Sequence, residues 1–307
     1  MAIETLVAAE LDQPVDPQVA AMAAAIAAQY RSASRAVLFY GSCLREANLD
    51  GLMLDFYLIV SDYEAAFGKG WFAFANRLLP PNVFPFEHDG LVAKYAVLSE
   101  ADFTRLASPK TRNVSVWARF AQPSRLVWTA DAAARDASIA AISCAAPALL
   151  IAARPMLADR VGVAALWEEA FALTYGAELR AERKGRAGSV VTADPGRYRS
   201  FTAPALVAAG LDATINGDEV SFIDPLSPAQ RSAGRRDWAR RRREGKALTL
   251  ARLAKASTTY AGGIDYLAWK INRHAGAAIE IRPWQRRWPL LGAISLLPRL
   301  LVKGAVK

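Results

Sequence analysis

The stretch VLFYGSCLREANLDGLMLDFYLIV, residues 37–60, sets two apolar, aromatic-rich runs around a short polar interruption. Branched and aromatic side chains in runs of this length predict strands at 36–40 and 54–60. In the second run Leu54, Phe56, Leu58 and Val60 alternate with Asp55, Tyr57 and Ile59, the period of a strand. The first run ends in Gly41-Ser42, and the second opens with one acid, Asp55, in an apolar segment. A small-residue corner thus closes one strand, and a lone carboxylate opens the next.

Nucleotidyl transfer asks a protein for three things. Backbone must approach a triphosphate closely, which favours Gly. A hydroxyl must hydrogen-bond phosphate oxygens, which favours Ser. A carboxylate must hold Mg²⁺ against those oxygens. Gly41, Ser42 and Asp55 offer all three, in an arrangement that resembles the polymerase-beta-like nucleotidyltransferase superfamily. That superfamily carries two acids one residue apart on the second strand. Here Met53 and Tyr57 flank Asp55 at that spacing, so the paired acid is missing.

Outward from this core, residues 17–30 read as an Ala-rich helix and 63–78 as a helix stopped by Pro80-Pro81. LVAKYAVL, 91–98, reads as a third strand with Lys94 its only charge. Ser99 then caps a helix with Asp102 three residues on. Residues 114–128 read as strand-like, and 131–185 as helical with breaks near Pro147 and Pro155. Asn216-Gly217 marks a hairpin within 211–223. Residues 235–274 are again helical.

The chain of 307 residues is long enough for two domains, and a hydrophobic fraction of 53% excludes disorder. Cys43 and Cys144 stand far apart, and His88 and His274 are the only histidines. That excludes a disulfide framework and a Cys- or His-rich metal site, and fits a reducing compartment. Cys43 reads as a small packed side chain. The N-terminus lacks the basic, apolar pattern of a targeting peptide. An uncharged run between Asp136 and Arg154 is short for a spanning helix and reads as buried. From residue 231 onward 18 Lys and Arg meet 4 Asp and Glu, a charge of +14, while residues 1–230 carry −5. Such a tail seeks a polyanion, either nucleic acid or an anionic membrane surface.

YGS followed by MLDF is similar to the mitochondrial-type phosphatidate cytidylyltransferase (CDP-diacylglycerol synthase) family, which pairs a YGSG corner with a Leu-Asp-Phe strand. Further segments match in the same order. DGLVAKYAVLS, 89–99, resembles NGRLIKYGVIS, placing Lys94 and Tyr95 on a Lys-Tyr pair. WARFAQP, 117–123, resembles AGRLQKP, placing Arg119 on an Arg. ALTYGAELR, 172–180, resembles GLSYSGDFR, placing Tyr175, Glu178 and Arg180 on polar positions. The sequence departs at Cys43, where the family has Gly, and at Glu178, where it often has Asp.

The resemblance implies transfer of a cytidylyl group from CTP to phosphatidate, with Asp55 and Lys94 catalytic. Gly41, Ser42, Lys94, Tyr95 and Arg119 would bind nucleotide, Asp55 and Glu178 Mg²⁺, and Tyr175 and Arg180 the acceptor. Read without it, Lys94 is also a snorkelling lysine, Arg119 an interdomain ion-pair partner, and Glu178 with Arg180 a helical surface pair. Glu87 and Asp89 are spare acids for a second metal. The implied fold is α+β: a nucleotidyltransferase-type mixed sheet with helices at 1–130, a mostly helical domain at 131–230, and a basic helical region at 231–307. Trp284, Trp288, five cations and seven aliphatic residues of 282–303 would form an amphipathic tail lying on an anionic membrane. The expected setting is a cytoplasmic or matrix-type compartment, peripheral on the inner membrane face, with no nucleic-acid partner. The alternatives are a nucleotidyltransferase with a soluble or RNA acceptor, and a non-catalytic membrane adaptor.

Overall fold

A computed structural model describes residues 1–45, 49, 51–178, 190–259 and 281–287. Arg180, His274 and the tail beyond Arg287 lie outside them.

The sheet forms where the branched and aromatic runs predict it. Strands β1 (Ser34–Tyr40), β2 (Met53–Val60), β3 (Asn82–His88), β4 (Leu91–Ser99) and β5 (Ser124–Thr129) hydrogen-bond in the order β3-β4-β2-β1-β5. The β2–β4 pair is parallel and the others are antiparallel, so the sheet is mixed and the protein α+β. Strand β3 is a fourth element between the predicted second and third strands. Pro85 within it has no N–H to give, which an edge strand tolerates.

Both sheet faces are covered. Phe39, Phe56, Leu58, Tyr95 and Val97 pack against α2 (Pro17–Tyr30), whose N-cap Asp16 accepts from the Gln18 amide at 2.7 Å. Leu38, Tyr57, Ile59 and Leu98 pack on the other face against a larger helical layer. Helices α1 (Ile3–Leu11), α3 (Tyr63–Phe67), α4 (Trp71–Leu78), α5 (Glu100–Ala107) and α6 (Trp117–Phe120) accompany the sheet. The helix expected over 63–78 is two, because Gly68 turns the chain with φ +69°. Residues 114–128 are strand only from Ser124. Before it, Asn113 closes a turn by accepting from the Ser115 amide, and α6 buries Trp117 and Phe120.

The helical layer continues with α7 (Ala132–Ser143), α8 (Ala145–Ala153), α9 (Val163–Tyr175) and α10 (Pro195–Ala208). The break expected near Pro147 falls at Cys144, and Pro147 itself sits in the first turn of α8, where its missing N–H costs no bond. The stretch Ala132–Met156 is long and apolar enough to cross a membrane, yet most of it is buried inside the molecule. A small sheet of β6 (Arg160–Gly162), β7 (Ala213–Asn216) and β8 (Glu219–Phe222) contains the expected hairpin. One buried cluster joins residues on both sides of position 130, from Ile3 to Trp238. Arg197 of α10 pairs with Glu10 of α1 and donates to the Ala121 carbonyl, tying three segments together inside it.

The basic region opens with α11 (Pro228–Thr259), a 32-residue helix, and ends with α12 (Pro283–Arg287). A seam along α11 repeats every three to four residues: Gly234, Trp238, Arg241, Gly245, Leu248, Arg252, Lys255. Trp238 is 1% exposed and donates its indole N–H to Ala152 at 2.7 Å. A Cβ at Gly245 would stand 2.1 Å from the Ala177 carbonyl oxygen, so only Gly permits this approach. Arg235, Arg236, Arg240, Arg243 and Lys246 remain exposed.

Candidate functional site

Strand pairing assembles the corner. In the β1–β2 register Tyr40 lies opposite Asp55, so Gly41, the next residue, comes directly beside the acid. Gly41 has φ +95°, a conformation L side chains rarely adopt. A Cβ there would lie 3.3 Å from Asp55 Oδ2. The bend and the carboxylate therefore face each other, too closely for a side chain at position 41 to fit unless Asp55 gives way. Ser42 then opens a single 3₁₀ turn, with the Leu44 amide donating to the Gly41 carbonyl at 3.3 Å. Cys43 is buried and its thiol donates to Met53, the role of a packed side chain.

Lys94 joins from the other side. It is in register with Asp55 across the parallel β2–β4 pair, and its Nζ lies 2.8 Å from Asp55 Oδ1. The contact is an ion pair, so the buried Oδ1 already meets a cation, the Lys94 ammonium. The other carboxylate oxygen, Oδ2, faces the Gly41 bend. A carboxylate with one oxygen turned to the bend fits a Mg²⁺ ligand that shares its charge with Lys94. Among the described residues no group of three acidic, His or Cys side chains could enclose a metal. A metal held here would lean on substrate oxygens, as Mg²⁺ commonly does.

Arg119 lies beneath this face. It donates to the Tyr57 hydroxyl at 3.1 Å and to the Ser115 carbonyl at 3.3 Å, with its guanidinium over the Tyr40 ring. Tyr57, two residues on from Asp55 in β2, thus orients an arginine. Burial works against the Arg119 charge, but Tyr40, Tyr57, Glu178 and Asp55 together hold its pKa well above the ordinary value. Glu178 is therefore within electrostatic reach of the site.

Other predicted residues go elsewhere. Tyr95 follows Lys94 and points to the opposite face, where it is 3% exposed and bonds Tyr30 and Gln29. Alternation along a strand separates the two side chains, and the structure does not bring Tyr95 to Asp55. Tyr175 packs against the helical core. Glu87 and Asp89 are exposed at the β3–β4 turn and join no acid cluster. A cavity of about 480 Å³ opens between residues 109–112 and α11, but none of Gly41, Asp55, Lys94 and Arg119 lines it.

Sequence reasoning missed Arg252 and Lys255. Arg252 donates to the Pro80 carbonyl at 2.9 Å and to the Ser115 hydroxyl at 2.8 Å. Lys255 is 9% exposed and donates to the carbonyls of Leu79 and Pro81. Burial, reinforced by Arg252, brings its pKa from 10.5 to about 7. The signal that could have found both is the α11 seam, on which they fall in step with Trp238 and Gly245.

The fold and this corner define an α+β protein with a mixed sheet and a Gly-Ser-Asp-Lys constellation at one end of its central strands. No protein-family model matches the chain, and no curated protein is found to be similar to it.

Proposed function

We propose that the protein is a nucleotidyltransferase that moves the cytidylyl group of CTP onto phosphatidate, yielding CDP-diacylglycerol and pyrophosphate. The observation that carries this reading is the Asp55 carboxylate set against the positive-φ Gly41 bend, with Lys94 on its other side. The resemblance of the surrounding segments supplies the substrates. An oxygen of the phosphatidate phosphate bonds to the α-phosphorus of CTP. The bond from that phosphorus to the α,β-bridging oxygen breaks, and pyrophosphate leaves with the electron pair. The attacking phosphate is already ionised near pH 7, so no general base is required.

The backbone at Gly41 and the Ser42 hydroxyl cradle the triphosphate, and Lys94 and Arg119 offset its charge. Asp55 would hold Mg²⁺, with Glu178 the other acid near Arg119. When bound, the ion neutralises charge on the phosphate oxygens. Phosphatidate resides in a bilayer, and two described surfaces suit contact with one. Helix α4 exposes Trp71, Phe74 and Leu78 along one side, and α12 exposes Trp284. Lys255 donates to the Leu79 carbonyl at the C-terminal end of α4.

Pyrophosphate release from CTP, measured with phosphatidate vesicles, tests the reading. Turnover is expected with phosphatidate and CTP and not with phosphatidylcholine or ATP. Equal turnover with a soluble or RNA acceptor moves the assignment to another nucleotidyltransferase. Vesicle binding without any turnover leaves an adaptor.

A further inference from the structure

The seam of α11 brings a second arginine beside Arg119. Arg119 uses the carbonyl of Ser115 and Arg252 its hydroxyl, so two guanidinium groups meet on one residue. Their remaining acceptors, the Tyr57 hydroxyl and the Pro80 carbonyl, are also uncharged. Among the described residues neither arginine forms an ion pair. Both are partly buried, where two like charges repel more than in water and an unpaired charge is costly. The field of Glu178 reaches both, while Asp55, the other acid acting on Arg119 among the described residues, is engaged by Lys94. Lys255 stands one turn beyond Arg252. Among the described residues cationic groups here outnumber carboxylates, and an anion would turn the repulsion between the guanidiniums into shared attraction.

We propose that Arg119 and Arg252 form a two-guanidinium clamp for a phosphoryl group, to which the basic C-terminal helix contributes half. Each guanidinium is a planar fork with five donors that matches phosphate oxygens. Among the described residues, acceptors engage one nitrogen of Arg119 and two of Arg252. The clamp deepens the cytidylyl reading and rests on it only for the ligand's source. The triphosphate of CTP and the phosphomonoester of phosphatidate present the same chemistry.

Pyrophosphate is the probe, titrated calorimetrically into the full chain. Wild type is expected to bind saturably. Arg252→Gln should weaken binding by about tenfold or more, the worth of a charge-assisted hydrogen bond. Arg243→Gln, exposed on the same helix, should bind within about twofold of wild type. A wild type that does not bind, or an Arg252→Gln that binds equally, overturns the clamp. Labelling of wild type with phenylglyoxal, mapped by mass spectrometry, needs no variant to fold. Pyrophosphate should protect Arg119 and Arg252 but not Arg243, and unchanged labelling of the first two also overturns the proposal. Displacement of pyrophosphate by CTP or by soluble short-chain phosphatidate names the source. Loss of the cytidylyl assay with Arg252-dependent binding intact removes the reaction and keeps the clamp. Turnover indifferent to Arg252→Gln, with equal pyrophosphate binding, does the reverse.

Discussion

Asp55 meets Gly41 because antiparallel pairing puts Tyr40 opposite it, and it meets Lys94 because a parallel neighbour is in register. The two strands and their small-residue end were legible in sequence, since they carry ordinary strand signals, whereas the register that brings Lys94 to Asp55 was not. The motif pairs Tyr95 with Lys94, whereas alternation along β4 puts their side chains on opposite faces. Lys255 was illegible, because the carbonyls it binds belong to the distant Leu79–Pro81 loop. Its lowered pKa has a consequence for stability. The unfolded chain keeps the proton up to about pH 10, whereas the folded protein releases it above about 7. Unfolding between these values takes up a proton, so stability rises with pH across that window, by at most about 1.4 kcal/mol per unit. Below pH 7 both states are charged and the slope vanishes. Urea unfolding at pH 7, 8, 9 and 10 should show wild type gaining on Lys255→Met as pH rises. A constant difference would mean that Lys255 titrates normally.

At the scale of elements, β1, β2, β4 and the 213–222 hairpin follow from alternation and turn residues. Strand β3 does not, because Pro-Pro and Pro85 carry loop signals, and only its neighbour β4 makes it a strand. Helix α11 was legible as a helix but not as a packed one. Its seam is made of Gly, Arg and Lys as well as Trp, so the charge run hid the stripe that docks. Gly245 fixes how closely this helix approaches Ala177, the residue before Glu178. Gly245→Ala should push α11 outward and destabilise the protein by roughly 1–3 kcal/mol, as overpacking does. Chemical denaturation measures this, and pyrophosphate affinity should fall with it because Arg252 moves. An unchanged midpoint and affinity would show that α11 is not held at Gly245.

For the whole molecule, sequence composition set a basic C-terminal region apart from an acidic body. The structure shows the first part of that region laid against the body, with Trp238 buried in the same cluster as Ile3 and Leu38. The junction depends on contacts between residues far apart in sequence, such as Arg252 with Ser115 and Trp238 with Ala152. Periodicity within one segment cannot reveal them. In the proposed function the layers share a single corner, to which the sheet would supply Gly41, Asp55 and Lys94 and the helices Arg119 and Arg252. The most direct test is phosphatidate-dependent pyrophosphate release from CTP by Asp55→Asn beside wild type. The ion pair with Lys94 is partly exposed, so its loss should cost the fold only about 0–1 kcal/mol. Turnover should fall roughly 10²-fold or more while the melting temperature holds. Turnover at the wild-type rate in a folded Asp55→Asn would contradict the account.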